Sequence, residues 1–282
     1  MPPPANEPTP ASIGALLSDV RARTPLVHSI TNLVVTNSTA NALLALGASP
    51  AMVEGVEEVA EFAAIAGALV INLGTMDAGR AQAMRLAADA ARAAGTPWIL
   101  DPVAVGVLSY RSQVAVELLA FSPAVVRGNA SEIIALARQA GAVQGGAASG
   151  GRGVDSTAPA EAALDAAKAL AAALRCVVVV SGATDYVTDG LRTIGVNNGH
   201  PMMSRVTGLG CTATALIGAC LAVTPDTLTA CVAGMVFTGL AGEMAAELAP
   251  GPGSLQGGLI DALYLMDADL VTRRAHLVAP DV

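Results

Sequence analysis

Aromatic side chains are nearly missing from this sequence. Phe, Trp and Tyr together make up 2% of its 282 residues. Any core must therefore be assembled from Ala, Val, Leu and Ile, and an Ala-rich core lets helices approach closely. Charge is scarce too, at 13%, and Lys168 is the single lysine, with no basic run anywhere. Binding nucleic acid takes clustered Lys and Arg against phosphates, so no nucleic-acid partner is expected. The net charge of −8 serves solubility instead. A chain that is 53% hydrophobic buries a large core and is not disordered. Its low surface charge leaves room for subunit contacts.

Several chemical signatures are missing as well. Cys176, Cys211, Cys220 and Cys231 form no C-x-x-C pair and keep no zinc-type spacing with histidine. Cys176, Cys220 and Cys231 fall in apolar runs and read as small core residues. Without G-x-x-x-x-G-K-[ST], a P-loop enzyme is excluded, and no G-x-S-x-G elbow points to a hydrolase. The opening MPPPANEPTPAS has no basic stretch followed by an apolar one. Residues 1–11 are read as a flexible Pro-rich tail rather than a signal peptide, and 12–282 as one domain. The uncharged run 206–225 is rich in Gly, Thr, Ala and Cys and meets Asp226 at once. It reads as a buried helix, since a membrane span needs about 20 strongly apolar residues. No membrane partner is expected, and the location is read as cytoplasmic.

What is present alternates in period. Helical patterns cover about 12–22, 34–46, 57–67, 78–95, 112–121, 130–141 and 160–174. Between them lie short apolar runs: LVHSI from Leu26, ALVINLG (68–74), TPWILD (96–101), AVVRGN (124–129) and CVVVVS (176–181). Ala48 to Val53 reads as a turn, 141–157 as a mobile Gly-rich loop, and 182–203 as a hairpin turning at Asn197-Asn198-Gly199. Helices over about 210–223, 226–248 and 254–275 end the chain. Continuously apolar strands alternating with helices argue an α/β fold, a mostly parallel sheet with helices on both faces.

The strand ends carry polar groups: Asn72, Asp101, Arg127, Asn129 and Ser181. Ligands of open α/β sheets bind beyond those ends. Arg127 suits phosphate oxygens through its planar fork, and Asp101 and Glu132 are candidate Mg²⁺ ligands, directly or through water. The stretch Val206-Thr207-Gly208-Leu209-Gly210-Cys211-Thr212-Ala213 reads as a tight loop opening into a buried helix. Its unpaired N–H groups and dipole favour an anion, and a thiol there tends toward a lowered pKa. The same stretch is open to a plainer reading, a glycine turn with a buried cysteine. His28, Asn32, Asn37 and Asn41, threaded through apolar sequence, suggest a lined pocket. Together these parts suit phosphoryl transfer, which asks mainly for positioning and charge stabilisation.

The segments HSITNLVVTNSTANALLALGASPAM, LDPVAVG, VRGNASEI, SGATDYVTDG, VTGLGCTATA and GPGSLQGGLIDALY together resemble hydroxyethylthiazole kinase, in order from about residue 13 to 275. The resemblance implies a ribokinase-like fold using ATP and Mg²⁺. It implies phosphorylation of 4-methyl-5-(2-hydroxyethyl)thiazole on its primary alcohol, in thiamine biosynthesis and salvage. It places Met52 and Gly208 at thiazole-binding positions, with His28 and Asn32 in the segment lining that pocket. Arg127 and Ser181 fall at nucleotide-binding positions. Asn129 and Glu132 match an N-x-x-E pattern that organises Mg²⁺ and phosphate, and Cys211 stands where relatives in the wider superfamily place an aspartate base. It also implies a homotrimer with the pocket near a subunit interface.

Three positions depart from the family pattern: Leu209 for Thr, Ala104 for Gly, and Ala183 for Glu. The first and third bear on rate and nucleotide affinity. Other readings stay open: a ribokinase-like kinase for hydroxymethylpyrimidine or a pyridoxal-type alcohol, a lyase repairing hydrated nicotinamide cofactors, or a non-catalytic binding protein.

Overall fold

The computed structural model describes residues 7–143 and 159–280. Helix α1 (Pro10–Arg23) leads into strand β1 (Leu26–Ile30), then a 3-10 turn (Leu33–Val35) and α2 (Thr36–Leu46). There follow β2 (Ser49–Ala51), α3 (Val59–Ile65), β3 (Ala68–Asn72), α4 (Ala78–Ala94), β4 (Trp98–Asp101), α5 (Ser109–Leu119), β5 (Val125–Asn129) and α6 (Ala130–Gln139). After a 3-10 turn at Ala160–Ala163 come α7 (Leu164–Leu174), β6 (Val177–Ser181), β7 (Asp185–Thr188) and β8 (Thr193–Val196). The chain closes with α8 (Leu209–Leu221), α9 (Thr227–Leu248), α10 (Pro252–Leu265), α11 (Ala268–Arg274) and β9 (Leu277–Val278).

One sheet runs in the order β2-β1-β3-β4-β5-β6-β7-β8-β9. Pairing is parallel from β2 to β6 and antiparallel from there to β9. The pleat sends alternate residues to opposite faces. Val27, Val70, Ile99, Val125 and Val179 join one core with residues of α1, α2, α8, α9 and α10. Leu69, Ile71, Leu100, Val126 and Val178 join another with residues of α3 to α7. Each aliphatic side chain so buried contributes about 1.5–3 kcal/mol. Cys176, Cys220 and Cys231 are buried among these residues, as their apolar runs suggest.

The elements follow the sequence pattern with four differences. Ser49–Ala51 is no turn but an edge strand parallel to β1, where Pro50 is tolerated because an edge strand can lack a donor. The β7–β8 hairpin turns at 189–192, where Asp189 Oδ1 accepts the N–H groups of Leu191 and Arg192 at 2.9 and 2.7 Å. Asn197-Asn198-Gly199 lies beyond it, and there Asn198 Oδ1 accepts the His276 N–H, 2.8 Å. The last long helix breaks into α10 and α11 because Asp267 caps a new start, accepting from Leu270 N–H at 2.7 Å. Finally, α1 begins at Pro10 with Thr9 as its cap, so the tail is shorter than 1–11. Its first six residues lie outside the described residues, as does 144–157 of the expected mobile loop.

Helix α9 is long and apolar enough to cross a membrane, yet 83% of its apolar window is buried inside the fold. It is a core helix.

Candidate functional site

Register brings the strand-end polar groups into one row. Asn72 lies opposite Asp101, and Asn129 opposite Ser181. The Asn72 side-chain amide donates to Asp101 Oδ2 at 2.7 Å, and Thr214 Oγ1 donates to the same oxygen at 2.8 Å. Thr214 sits one turn into α8, so this bond ties that helix to the sheet edge. Burial pushes the Asp101 carboxyl above its ordinary range, against the opposing pull of Arg127, Thr214 and Asn72.

Glu132 completes a capping box at the start of α6. Asn129 Oδ1 accepts the Glu132 N–H at 3.0 Å, and Glu132 Oε2 accepts the Asn129 N–H at 2.9 Å. Its other oxygen accepts the Ala104 N–H at 2.8 Å. Burial, with Asp101 nearby, raises the Glu132 carboxyl from 4.5 to about 7. Two buried carboxyl groups thus share one corner, an arrangement that a cation would relieve. Ala104 has φ +62°, a left-handed conformation costing a non-glycine residue about 1–2 kcal/mol. The Ala104 methyl is therefore a matter of backbone strain.

The start of α8 is built differently. Its cap is Gly208, with φ +76° and no side-chain hydrogen bond. A Cβ there would come within 1.9 Å of Val35 Cγ1, so the glycine serves both the turn and the close approach to the 33–35 segment. By the geometry of a helix start, the N–H groups of Leu209, Gly210 and Cys211 have no partner within the helix. Arg127 is buried and lies over Gly210, where a Cβ would stand 2.5 Å from its Nη1. Ser181 Oγ, partly exposed one strand away, donates to the Gly128 carbonyl at 3.3 Å.

Cys211 is buried against this corner. Burial and the neighbouring Asp101 raise its thiol to about 12, while Arg127 and a hydrogen bond with Asn72 pull the other way. The lowered pKa expected from the helix start does not occur, because burial of the thiol and the neighbouring Asp101 push it up. Leu209 turns from the corner and packs on the core, lining an apolar cleft with Ser38, Ala42, Leu216 and Ile260. Ala183 is exposed on the turn after β6.

The four polar residues read as a pocket do not converge. His28 is fully buried on the far face of β1, its Nε2 paired with the Val53 carbonyl at 2.8 Å and its ring edge-on to Phe62 at 5.1 Å. Desolvation lowers its pKa. Asn37 and Asn41 pair with each other on α2, 3.1 Å. Asn32 Oδ1 caps the 3-10 turn by accepting the Val34 N–H at 3.1 Å, and its side chain packs on Gly74. Met52 is half-buried in the segment just after β2. His28 thus supports the backbone beside Met52 and does not line the row of strand ends.

Two site residues escaped sequence reasoning. Thr214 is a lone hydroxyl on a buried helical face, one turn beyond Gly210. Asp185 opens β7, accepts the Gly182 N–H at 2.9 Å, and is raised by burial to about 6, with Arg127 opposing. Asp185 follows a glycine turn at a buried position, a signal that the sequence carries, whereas the partner of Thr214 is Asp101, far off in sequence.

Among the described residues no group of three or more His, Cys, Asp or Glu forms a metal cage. Mg²⁺ brought by a nucleotide needs only one or two carboxylates, with water and phosphate completing it. The corner of Asp101 and Glu132 fits that demand.

The model of the hydroxyethylthiazole kinase family matches residues 17–269. A protein named hydroxyethylthiazole kinase from Granulibacter bethesdensis is 63% identical, the match covering 94% of each chain. A solved structure of a hydroxyethylthiazole kinase protein from Pyrococcus horikoshii superposes with TM-score 0.86 at 41% identity, covering 95% of this chain and 98% of that one. A ribokinase-like superfamily protein from Enterococcus faecalis shares the fold at 15% identity, with TM-score 0.58 and 88% of each chain covered.

Proposed function

The chain belongs to the hydroxyethylthiazole kinase family, and from that premise we propose that it moves the γ-phosphoryl group of ATP to the primary alcohol of 4-methyl-5-(2-hydroxyethyl)thiazole, in thiamine biosynthesis or salvage. The observation that carries this reading is the uncapped start of α8 beside Arg127 and the Asp101–Glu132 corner.

In this reading the alcohol oxygen bonds to the γ-phosphorus as the bond to the ADP oxygen breaks. The N–H groups of Leu209, Gly210 and Cys211 hold the equatorial oxygens, and Arg127 neutralises the phosphate chain. Asn129 and Ser181 border the nucleotide. Asp101 and Glu132 would hold Mg²⁺, directly or through water, and the ion would supply positive charge to offset that of the phosphates. The alcohol lies between Gly208 and the segments of Asn32 and Met52. The alcohol proton leaves late in a loose transition state, to an oxygen of the transferred phosphoryl group or to water. A thiol at about 12 is protonated at neutral pH, so Cys211 guides the hydroxyl rather than taking its proton.

Leu33 and Val34 beside Asn32 are 57% and 65% exposed. A homotrimer in which a neighbour covers them would close the substrate side of the site. The chain from the Thr9 cap of α1 onward acts as one domain, and the enzyme works in the cytoplasm. A coupled ADP-release assay with the thiazole alcohol tests the activity. Thiazole-dependent ADP release at catalytic rate is expected. Turnover of hydroxymethylpyrimidine or pyridoxal in its place, or nucleotide binding without turnover, would overturn the reading.

A further inference from the structure

A second buried polar cluster lies outside the strand-end corner. Arg80 stands on the first turn of α4 and is 7% exposed. The other buried residues of that helix are Ala81, Ala83, Met84, Ala87, Ala88 and Ala91, so Arg80 is its one buried charge. Its Nη1 pairs with the Glu54 carboxylate, and its Nη2 donates to the Thr31 carbonyl. Thr31 directly precedes Asn32, and Glu54 lies two residues beyond Met52.

One guanidinium therefore joins two separate segments. The first leaves β1 and the second leaves β2, an edge strand of three residues. So short a strand gives the second segment little ladder support. Residues 52–55 have no regular structure of their own. Packing does not explain the arginine. Replacing a buried ion pair by apolar residues of similar volume is often neutral or stabilising, and the rest of α4 packs with alanines and a methionine. The bridge explains it, because a planar fork reaches two acceptors in fixed directions and an ammonium does not.

We propose that Arg80, through Glu54 and the Thr31 carbonyl, is a positioning residue that sets the spacing between the Asn32 and Met52 segments and so tunes affinity for the alcohol substrate. The second half rests on the reading that the alcohol binds between those segments. The first half is purely a property of the fold.

The test compares the full-length protein with Arg80→Lys and Glu54→Gln, by two readouts. Hydrogen exchange over 31–36 and 53–62 is expected to speed up in both segments together, without thiazole present. The KM for the thiazole alcohol is expected to rise about tenfold in Arg80→Lys, since small misplacements of a bound reactant cost affinity and rate steeply. The KM for ATP should stay within about twofold, which a general loss of structure would not allow. If Arg80→Lys does not fold, Glu54→Gln carries the same comparison with a smaller rise. Unchanged exchange, faster exchange in one segment alone, or parallel shifts in both KM values would overturn the proposal. A wild-type protein that does not phosphorylate the alcohol would instead defeat the proposed function. The exchange readout would then still decide whether Arg80 spaces the two segments.

Discussion

Two helices begin at the same edge of the sheet, and they begin in opposite ways. At α6 the side chains of Asn129 and Glu132 close the end, taking up each other's backbone N–H groups and that of Ala104. At α8 a left-handed glycine starts the helix and no side chain caps it. The closed end invests its polar groups in stability and presents a carboxyl corner. The open end leaves donors for something that is not part of the chain. An anion and its counter-cation would meet between them, so the difference between the two helix starts amounts to a division of labour.

The largest effect is expected where the open end is blocked. Gly208→Ala forces a side chain into φ +76° and against Val35 at 1.9 Å. The left-handed conformation alone costs about 1–2 kcal/mol, and the helix start must shift. Moving donors away from the transferring phosphoryl group costs about 100-fold or more in kcat. Steady-state kinetics and urea unfolding on the same variant separate the two losses. Near wild-type turnover would mean that the open end does not hold the reacting group.

The closed side should answer to pH instead. Asp185 shuts the turn after β6, and burial raises its carboxyl from 3.8 to about 6. A raised carboxyl favours the protonated folded state. Its contribution is present below the unfolded value, is lost as pH rises from 3.8 to about 6, and is flat above. The change is about 3 kcal/mol at about 1.4 kcal/mol per unit. Asp185→Asn keeps an oxygen for Gly182 and should remove that slope in urea unfolding measured across the window. An undiminished slope in the variant would take Asp185 out of the account.

Gly210→Ala sharpens the contrast because it perturbs the open end without strain. The added methyl would meet Arg127 Nη1 at 2.5 Å, the far end of a flexible side chain, so stability should scarcely change. The displaced guanidinium should raise the KM for ATP about tenfold, roughly 1.4 kcal/mol. Isothermal titration with a non-hydrolysable ATP analogue reads it directly. A large fall in stability with unchanged nucleotide affinity would show that Gly210 serves packing.

The closed end was more legible in the sequence than the open one. Asn129 and Glu132 stand three apart at the start of an amphipathic run, which is the written form of a capping box. Parallel strands announced themselves as apolar runs, and their polar last residues announced the edge where a ligand sits. Gly208 could be read as a turn, but its contact with Val35 could not, since that depends on how a segment far away in the chain folds back. The same limit hid Thr214 and Arg80, whose partners lie far off in sequence. The direction of the His28 ring is set by a related limit: one residue of register decides which face of β1 it takes. Leu209 became intelligible only once the cleft between α2, α8 and α10 was visible.

The smallest effect is expected at Cys211. It lies on the open end, but its surroundings belong to the closed one. Burial and Asp101 hold its thiol at about 12, so a thiolate is a negligible species at neutral pH and contributes no basicity there. Phosphoryl transfer through a loose transition state leaves the alcohol little changed until late, and a strong base has little to do. Cys211→Ala should lose less than about tenfold in kcat, well short of the 10²–10⁴ typical of a general base, and Cys211→Asp should remain active. Circular dichroism checks the fold and the coupled assay reads the rate. Complete loss of turnover in the alanine variant, with its fold intact, would mean that the thiol takes the proton after all, and the division between the two helix starts would have to be redrawn around it.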